Sequence, residues 1–352
     1  MRLAELTTSG VGGEAGEFIR AESEAELIEA VQATDAAGEE LLIIGGGSNL
    51  LVADQGFHGT VLQIASQGYT VSSQDRCGGA SVVVQAGHPW DELVKETVLH
   101  AWSGLEALSG IPGLTGATPV QNVGAYGAEV AQTIAAIRVW DRQLGRITTF
   151  SHSEIGFAYR DSLLKRATTG GSPRYVVLTV EFQLALGRMS APVRYAELAG
   201  KLGVAIGERA YATDVRKAVL ELRAAKGMVL DPEDRDTYST GSFFTNPIVP
   251  RAWGEKLPAA APRYPVENPG GEGVVKLSAA WLISHSGFDK GFGSELTEGR
   301  ASLSTKHSLA VTNRGAARTE DLLAVARAVR DGVQREFGIT LEPEPLLIGC
   351  AL

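Results

Sequence analysis

The sequence predicts an α+β protein of two or three domains, and three observations predict it. The chain has 352 residues, more than one ordinary hydrophobic core organises. Apolar runs of strand length and capped helical segments are mixed along it. A glycine-rich turn at Gly45-Gly46-Gly47 leads on to a second strand pattern, where a dinucleotide-binding βαβ unit would open a helix.

In chain order, Ser23-Glu24-Ala25-Glu26 reads as a capping box that opens a helix through Leu27, Ile28 and Val31. Leu41-Leu42-Ile43-Ile44 reads as a buried strand, and Thr60 to Ile64 as another. Between them the glycine spacing fails GxGxxG, and no GxxxxGK[ST] occurs in the chain. Strands are expected at Tyr69 to Ser72 and Ser81 to Ala86, then a helix from Pro89 with Asp91 and Glu92 in its first turn. A second glycine-rich segment runs from Gly104 to Gly127. Strands follow at Ile134 to Asp141, Gly145 to Ser151 and Arg174 to Leu184, with a helix over Val215 to Ala225. Residues 228–240 read as a linker or flexible loop, and Pro258 to Gly273 as a long loop. Thr319 reads as the cap of a helix that carries Leu322, Val325, Ala326, Val329 and Val333 and stops at Gly338. A last strand is expected at Ile339 to Leu341.

Composition excludes several functions. A net charge of -9 argues against a sequence-independent nucleic-acid binder, so any anionic ligand must meet a local basic pocket. Two cysteines, Cys77 and Cys350, make neither a disulfide framework nor a four-thiolate site, and no histidines stand at HExxH or HxH spacing, so no metal is expected. The N-terminus lacks the basic and apolar regions of a signal peptide, and no apolar run reaches membrane-spanning length; the expectation is a cytoplasmic protein without membrane or nucleic-acid partners.

The two glycine-rich segments make sense as one ligand site. Gly45, Gly46, Gly47, Ser48 and Asn49 offer backbone N–H groups, a hydroxyl and an amide, the donors a pyrophosphate needs. Gly110 to Gly127 is too irregular for a strand and too apolar for a solvent loop, so its backbone must find partners, and a cofactor would supply them. The bland alternative is a pair of ordinary turns.

GGGSNLL at 45–51, SGIPGLTGATPVQNVGAYG at 109–127, FAYRDS at 157–162, GSFFTNP at 241–247, KLSAAWLI at 276–283, KHSLAVTN at 306–313 and LEPEPLLIG at 341–349 resemble, in order and over nearly the whole chain, the UDP-N-acetylenolpyruvoylglucosamine reductase family, in its longer-loop subtype. The resemblance implies the FAD-binding fold of the vanillyl-alcohol oxidase type plus an α+β substrate-binding domain. Residues 1–64 and 65–226 would be two lobes holding FAD, 227–334 the substrate-binding domain, and 335–352 a tail returning to the second lobe. It implies NADPH-dependent reduction of an enolpyruvyl UDP-sugar to UDP-N-acetylmuramate for the cell wall, with NADPH and substrate using one cavity in turn. No motif commits a histidine or cysteine to the flavin ring, so the FAD is expected to be non-covalent, and a monomer is expected. Gly45, Gly46, Gly47, Ser48, Asn49, Gly110, Pro112, Gly113, Gly116, Ala117, Pro119, Gln121, Asn122, Gly124, Ala125, Tyr126 and Gly127 would contact the cofactor.

The implied catalytic residues suit the chemistry. Hydride addition to the enol ether leaves carbanion character beside a carboxylate, which needs fixed donors and then a proton. Arg160 would stabilise that charge with a planar fork; alone, it would read as a partner of Asp161. Glu344, between two prolines, would help in its protonated form, whereas the alternative is a solvated acid of the kind Glu342 is taken to be. Ser242 would give the proton; beside Gly241 it otherwise reads as turn chemistry. Tyr195, Lys226 and Asn246 would bind substrate, with a packed ring and a solvated lysine as the alternatives for the first two. The connection from Lys226 to Gly241 is longer than the family's usual one, which weakens the transfer of Lys226. Two rivals belong to other classes: an oxidase of the same fold that uses dioxygen, and a non-catalytic nucleotide-sugar or flavin binder.

Overall fold

The computed structural model describes residues 1–266 and 273–352, and the chain divides into two compact units. The first gathers Met1, Ala15–Gly47 and Phe57–Val229; the second gathers Arg2–Glu14, Ser48–Gly56 and Leu230–Leu352. The mixture of helices and sheets in both is the α+β class expected.

In the first unit a parallel sheet has the order Ala15–Ala21, Phe57–Ile64, Leu41–Ile44. The helix Glu24–Ala37 covers it, because Ser23 accepts from the Glu26 N–H at its start and Gly38, at φ 68°, ends it. An antiparallel sheet has the order Arg146–Ser151, Ile134–Asp141, Tyr175–Leu186, Gly79–Gln85, Tyr69–Asp75. Its long strand Tyr175–Leu186 serves two cores. At Leu178 the register shifts, Arg138 pairing with Thr179 and Val139 with Val177. That bulge re-aims the side chains. Val176 and Leu178 pack with Leu27, Val31 and Leu62; Val180, Phe182 and Leu184 pack with Val82, Trp90 and Leu93. Segments expected as two lobes, 1–64 and 65–226, thus share one strand's packing. Helices Ala196–Leu202 and Ala212–Ala225 close a smaller cluster around Val193, Leu198 and Val219.

The second unit is built on the helix Thr319–Phe337, whose Leu322, Val325, Ala326, Val329 and Val333 form the buried stripe read from the sequence. Around it lie an antiparallel sheet, in the order Ile248–Pro250, Val274–Leu277, Arg263–Pro265, and the helix Ala279–His285. A parallel pair joins Leu346–Ile348 to Leu50–Val52. Among the described residues, no helix is long and apolar enough to cross a membrane.

Several expectations are corrected. The cap position before Thr319 is held by Arg318; Thr319 is the first helical residue, and its hydroxyl donates to Val52 O. Asp54 accepts from the Thr319 and Glu320 N–H groups, so the cap comes from a distant segment. The last strand is Leu346–Ile348 rather than Ile339 to Leu341: it has Leu50–Val52 to pair with, whereas Ile339 and Leu341 owe their apolar pattern to burial in the core around the helix Thr319–Phe337. The tail 335–352 belongs to the second unit, through that strand's pairing with Leu50–Val52. Residues 228–240 form no flexible linker: Asp236, Thr237, Ser239 and Thr240 are buried, and Arg235–Thr237 is a 3₁₀ turn. The loop expected at 258–273 contains the strand Arg263–Pro265, and its residues 267–272 lie outside the described ones.

Candidate active site

In the first unit the two glycine-rich segments meet. A Cβ on Gly46 would stand 2.9 Å from the Cα of Gly113, and one on Gly45 3.4 Å from Leu114. Only glycine lets the two backbones approach so closely. The second segment is laid along residues 86–90: Gly116 N–H donates to Ala86 O (2.8 Å), Thr115 N–H to His88 O (2.9 Å), and Gly113 O accepts from Trp90 N–H (3.0 Å). Gly110 N–H donates to Asp91, which also takes both arms of Arg216 (2.6 and 2.7 Å). Burial alone would raise the Asp91 carboxyl, but these donors outweigh it and hold it below its ordinary value. Two tight turns that meet at Gly46 and Gly113 present bare backbone there, the kind of cradle that a dinucleotide needs for close backbone approach. The residues therefore fit FAD.

Asn122 stands in the left-handed region at φ 46°. Its amide donates to Glu129 (2.9 Å) and to Ala158 O (3.1 Å) and accepts from Ala131 N–H (3.2 Å). This side chain ties the glycine-rich segment to the turn that carries Arg160. In that turn Ala158 and Asp161 exchange both backbone hydrogen bonds, which makes Tyr159 and Arg160 its two central residues. Arg160 has φ 53°, where glycine is the unstrained choice; a side chain there costs about 1–2 kcal/mol. Its guanidinium donates to Gly124 O (3.0 Å) and Asn122 O (3.4 Å) and lies 5.4 Å from the Tyr159 ring centre. Asp161 takes Arg166 as an ion-pair partner.

Tyr195 and Lys226 come together around Tyr126, a residue assigned from the sequence to the cofactor. The Tyr195 ring meets the Tyr126 ring edge-on at 5.5 Å and is 44% exposed, so it is not a core ring. Lys226 Nζ lies 5.7 Å from the Tyr126 ring centre and pairs with Glu197 at 2.5 Å, so it is not simply solvated. Burial, opposed by Arg223 and aided by Glu197 and Tyr195, pushes the Tyr126 phenol up to about 12. Arg223, given no role from the sequence, is half-buried beside them and donates its Nη2 to Met228 O (2.7 Å). The i, i+3 spacing of Arg223 and Lys226 was the available signal.

In the second unit Ser48 and Asn49 follow the glycines. Asn49 donates its amide to Glu344 O (3.2 Å), and Asn49 O accepts from Leu346 N–H (3.0 Å). The segment Gly241–Thr245 runs beside 342–344: Phe244 bridges Pro343, Glu344 N–H donates to Phe243 O (2.8 Å), and Thr245 N–H to Glu342 O (3.0 Å). Ser242 and Glu344 therefore stand on adjoining backbones. Glu342 is exposed, and Glu344 is partly buried. Asn246 accepts from Ala279 N–H (2.9 Å) and so helps start the helix Ala279–His285.

Residues 16–151 match an FAD binding domain, and residues 231–348 match the UDP-N-acetylenolpyruvoylglucosamine reductase C-terminal domain. A UDP-N-acetylenolpyruvoylglucosamine reductase of Salinispora arenicola (strain CNS-205) is 51% identical, covering 99% of this chain and 95% of that protein. One from Thermobifida fusca (strain YX) is 50% identical over 99% and 97%. The crystal structure of UDP-N-acetylenolpyruvylglucosamine reductase (MurB) from Thermus caldophilus superposes with a TM-score of 0.64 at 27% identity, covering 99% of this chain and 97% of that one.

Proposed function

The chain belongs to the UDP-N-acetylenolpyruvoylglucosamine reductase family, and on that premise we propose that it draws hydride from NADPH to reduce its enolpyruvyl UDP-sugar to UDP-N-acetylmuramate, a peptidoglycan precursor, using Arg160, Ser242 and Glu344. It is an FAD-dependent oxidoreductase. The observation that carries the residue assignment is the hydrogen bond from Glu344 N–H to Phe243 O, which puts the residue bearing the carboxyl group and Ser242 on adjoining backbone segments.

FAD, when bound and reduced by NADPH, would supply the hydride that the enol ether accepts. Residues 45–49 and 110–127 hold it, within the lobes 1–64 and 65–226, while 227–334 bind substrate. Charge then builds on the substrate carboxylate. Arg160, whose guanidinium is fixed by the carbonyls of residues 122 and 124, meets it with a planar, permanently charged fork. Glu344 in its protonated form donates to the same charge, and Ser242 delivers the proton to carbon. Lys226 and Tyr195 take the diphosphate; Lys226 exchanges Glu197 for it. Asn246 adds a substrate contact. The enzyme works in the cytoplasm as a monomer.

Anaerobic NADPH should bleach the flavin band, and the enolpyruvyl sugar should restore it. Ser242→Ala should bleach at nearly the parental rate and recover about 10²–10⁴-fold more slowly, the range of a lost general acid. Recovery at the parental rate would remove Ser242 from the mechanism. Fast recovery with dioxygen but not with the sugar would favour an oxidase.

A further inference from the structure

Asp236 lies in the connection that reads from sequence as a solvent loop, yet it is only 3% exposed. Its carboxylate accepts from Thr305 N–H (2.8 Å), the Thr305 hydroxyl (2.6 Å) and Arg314 Nη1 (2.9 Å). A buried carboxylate with three donors is a rigid anchor, since removing it leaves those donors unsatisfied. Next to it Asp234 pairs with Lys306 at 2.6 Å.

These bonds hold one turn, residues 304–310. Ser304 Oγ accepts from Lys306 N–H (3.0 Å) and His307 N–H (3.1 Å), and Ser304 N–H donates to Ala310 O (2.8 Å). The turn also reaches the reacting segment: Leu309 O accepts from Phe243 N–H at 2.7 Å. The same Phe243 peptide unit adjoins Ser242, and Phe243 O receives Glu344 N–H. From its other end the connection reaches Ser242 again, through Gly241 N–H on Ser239 Oγ (3.1 Å) and Asn313 N–H on Tyr238 O (2.9 Å). Ser242 follows Gly241, which stands at φ 76° and where a Cβ would meet nothing within 4 Å, so no packed side chain holds the preceding residue.

We propose that Asp236 is a positioning residue for the proton-transfer step, holding the 304–310 turn so that Leu309 O fixes the Phe243 peptide and with it the Ser242 hydroxyl. This rests on Ser242 being the proton donor. The lengthened connection between Lys226 and Gly241 is then a brace for the reacting segment, and its acidic residues serve the protein's own backbone.

The test is a double-mutant cycle read by stopped-flow on the holoenzyme. Asp236→Asn should keep FAD and be reduced by NADPH within about twofold of the parent. Re-oxidation by the enolpyruvyl sugar should fall about 10–100-fold, since a displacement near 1 Å costs about that much. Placed on Ser242→Ala, the same substitution should slow re-oxidation by less than about threefold, because the group it positions is gone. Hydrogen exchange at the Phe243 amide, read by mass spectrometry without turnover, should speed up in Asp236→Asn. An equal loss on both backgrounds, or parental re-oxidation in Asp236→Asn, overturns the positioning while leaving Ser242 in its role. Parental re-oxidation in Ser242→Ala overturns the proton-donor reading and the positioning with it. Should Asp236→Asn fail to fold, Thr305→Val, which exchanges the hydroxyl for a methyl group of similar size, enters the same cycle with a drop of about 3–10-fold expected; no drop overturns the proposal.

Discussion

Replacing Gly46 by alanine adds one methyl group at the point where the two glycine-rich segments touch. The new Cβ would lie 2.9 Å from Gly113 Cα, 3.5 Å from its carbonyl carbon and 3.6 Å from its nitrogen. Ordinary contact begins near 3.4 Å, so one backbone must retreat by about 0.5 Å. The obstacle is main chain, pinned by Trp90 N–H on Gly113 O, and no flexible side chain can yield in its place. Gly46 is not in the left-handed region, so the whole effect is steric. Overpacking of this kind costs about 1–3 kcal/mol, or roughly 5–150-fold in Kd if it falls on the cofactor-bound geometry. The assay is flavin fluorescence quenching on apoprotein. Gly200→Ala is the control: it sits in the helix Ala196–Leu202 with nothing within 4 Å, and should stabilise by about 0.5–1 kcal/mol with FAD affinity unchanged. Equal FAD affinity in the two variants would refute the cradle.

At Arg160, φ 53° means that Arg160→Gly should unfold at a higher temperature than Arg160→Ala, by about 1 kcal/mol, while both lose re-oxidation by substrate; an Ala variant as stable as Gly would remove the strain argument. Tyr195→Phe keeps the ring against Tyr126 and loses the hydroxyl, so KM for the sugar should rise with flavin reduction by NADPH unchanged, and equal damage to both half-reactions would mark the ring as structural. The Tyr126 phenol ionises near 12 when folded and near 10 when unfolded, so its contribution is whole below pH 10 and lost as pH rises toward 12. Tyr126→Phe should flatten that alkaline fall in Tm; an unchanged slope would dismiss the perturbed phenol.

Local physics was readable where it decided the outcome. Leu41–Ile44 and Ile134–Asp141 form strands with the bounds their apolar runs suggest, and Ser23 and Gly38 or Gly338 bound helices through their own geometry. From the sequence the glycine-rich segments read as one ligand site, with a cofactor as the partner their bare backbone needs; their packing on each other at Gly46 and Gly113 is a contact between residues 67 apart that no local pattern announces. What stayed hidden depends on residues far along the chain. The run DPEDRDT looks solvated until Thr305, Lys306 and Arg314 are brought to it. Helix Thr319–Phe337 takes its cap from Asp54, 265 residues away, and no window of sequence contains both. Arg160 and Asp161 show the converse: adjacency suggested a pair, but Asp161 takes Arg166 and the Arg160 guanidinium reaches the carbonyls of residues 122 and 124.

The parallel pairing of Leu50–Val52 with Leu346–Ile348 has a consequence for how the chain is made. Leu50, Leu51 and Val52 are all buried in the finished protein, and Asn49 meets Glu344 across 295 residues of intervening chain. On a ribosome adding about 5–20 residues per second, an apolar segment born early therefore waits roughly 15–60 s for its partner. Through that interval its unpaired edge is open to other nascent chains. Yield at high expression should consequently depend on elongation rate and on holding chaperones more than on the stability of the finished fold, and a fragment ending at Val229 should precipitate where the whole chain does not.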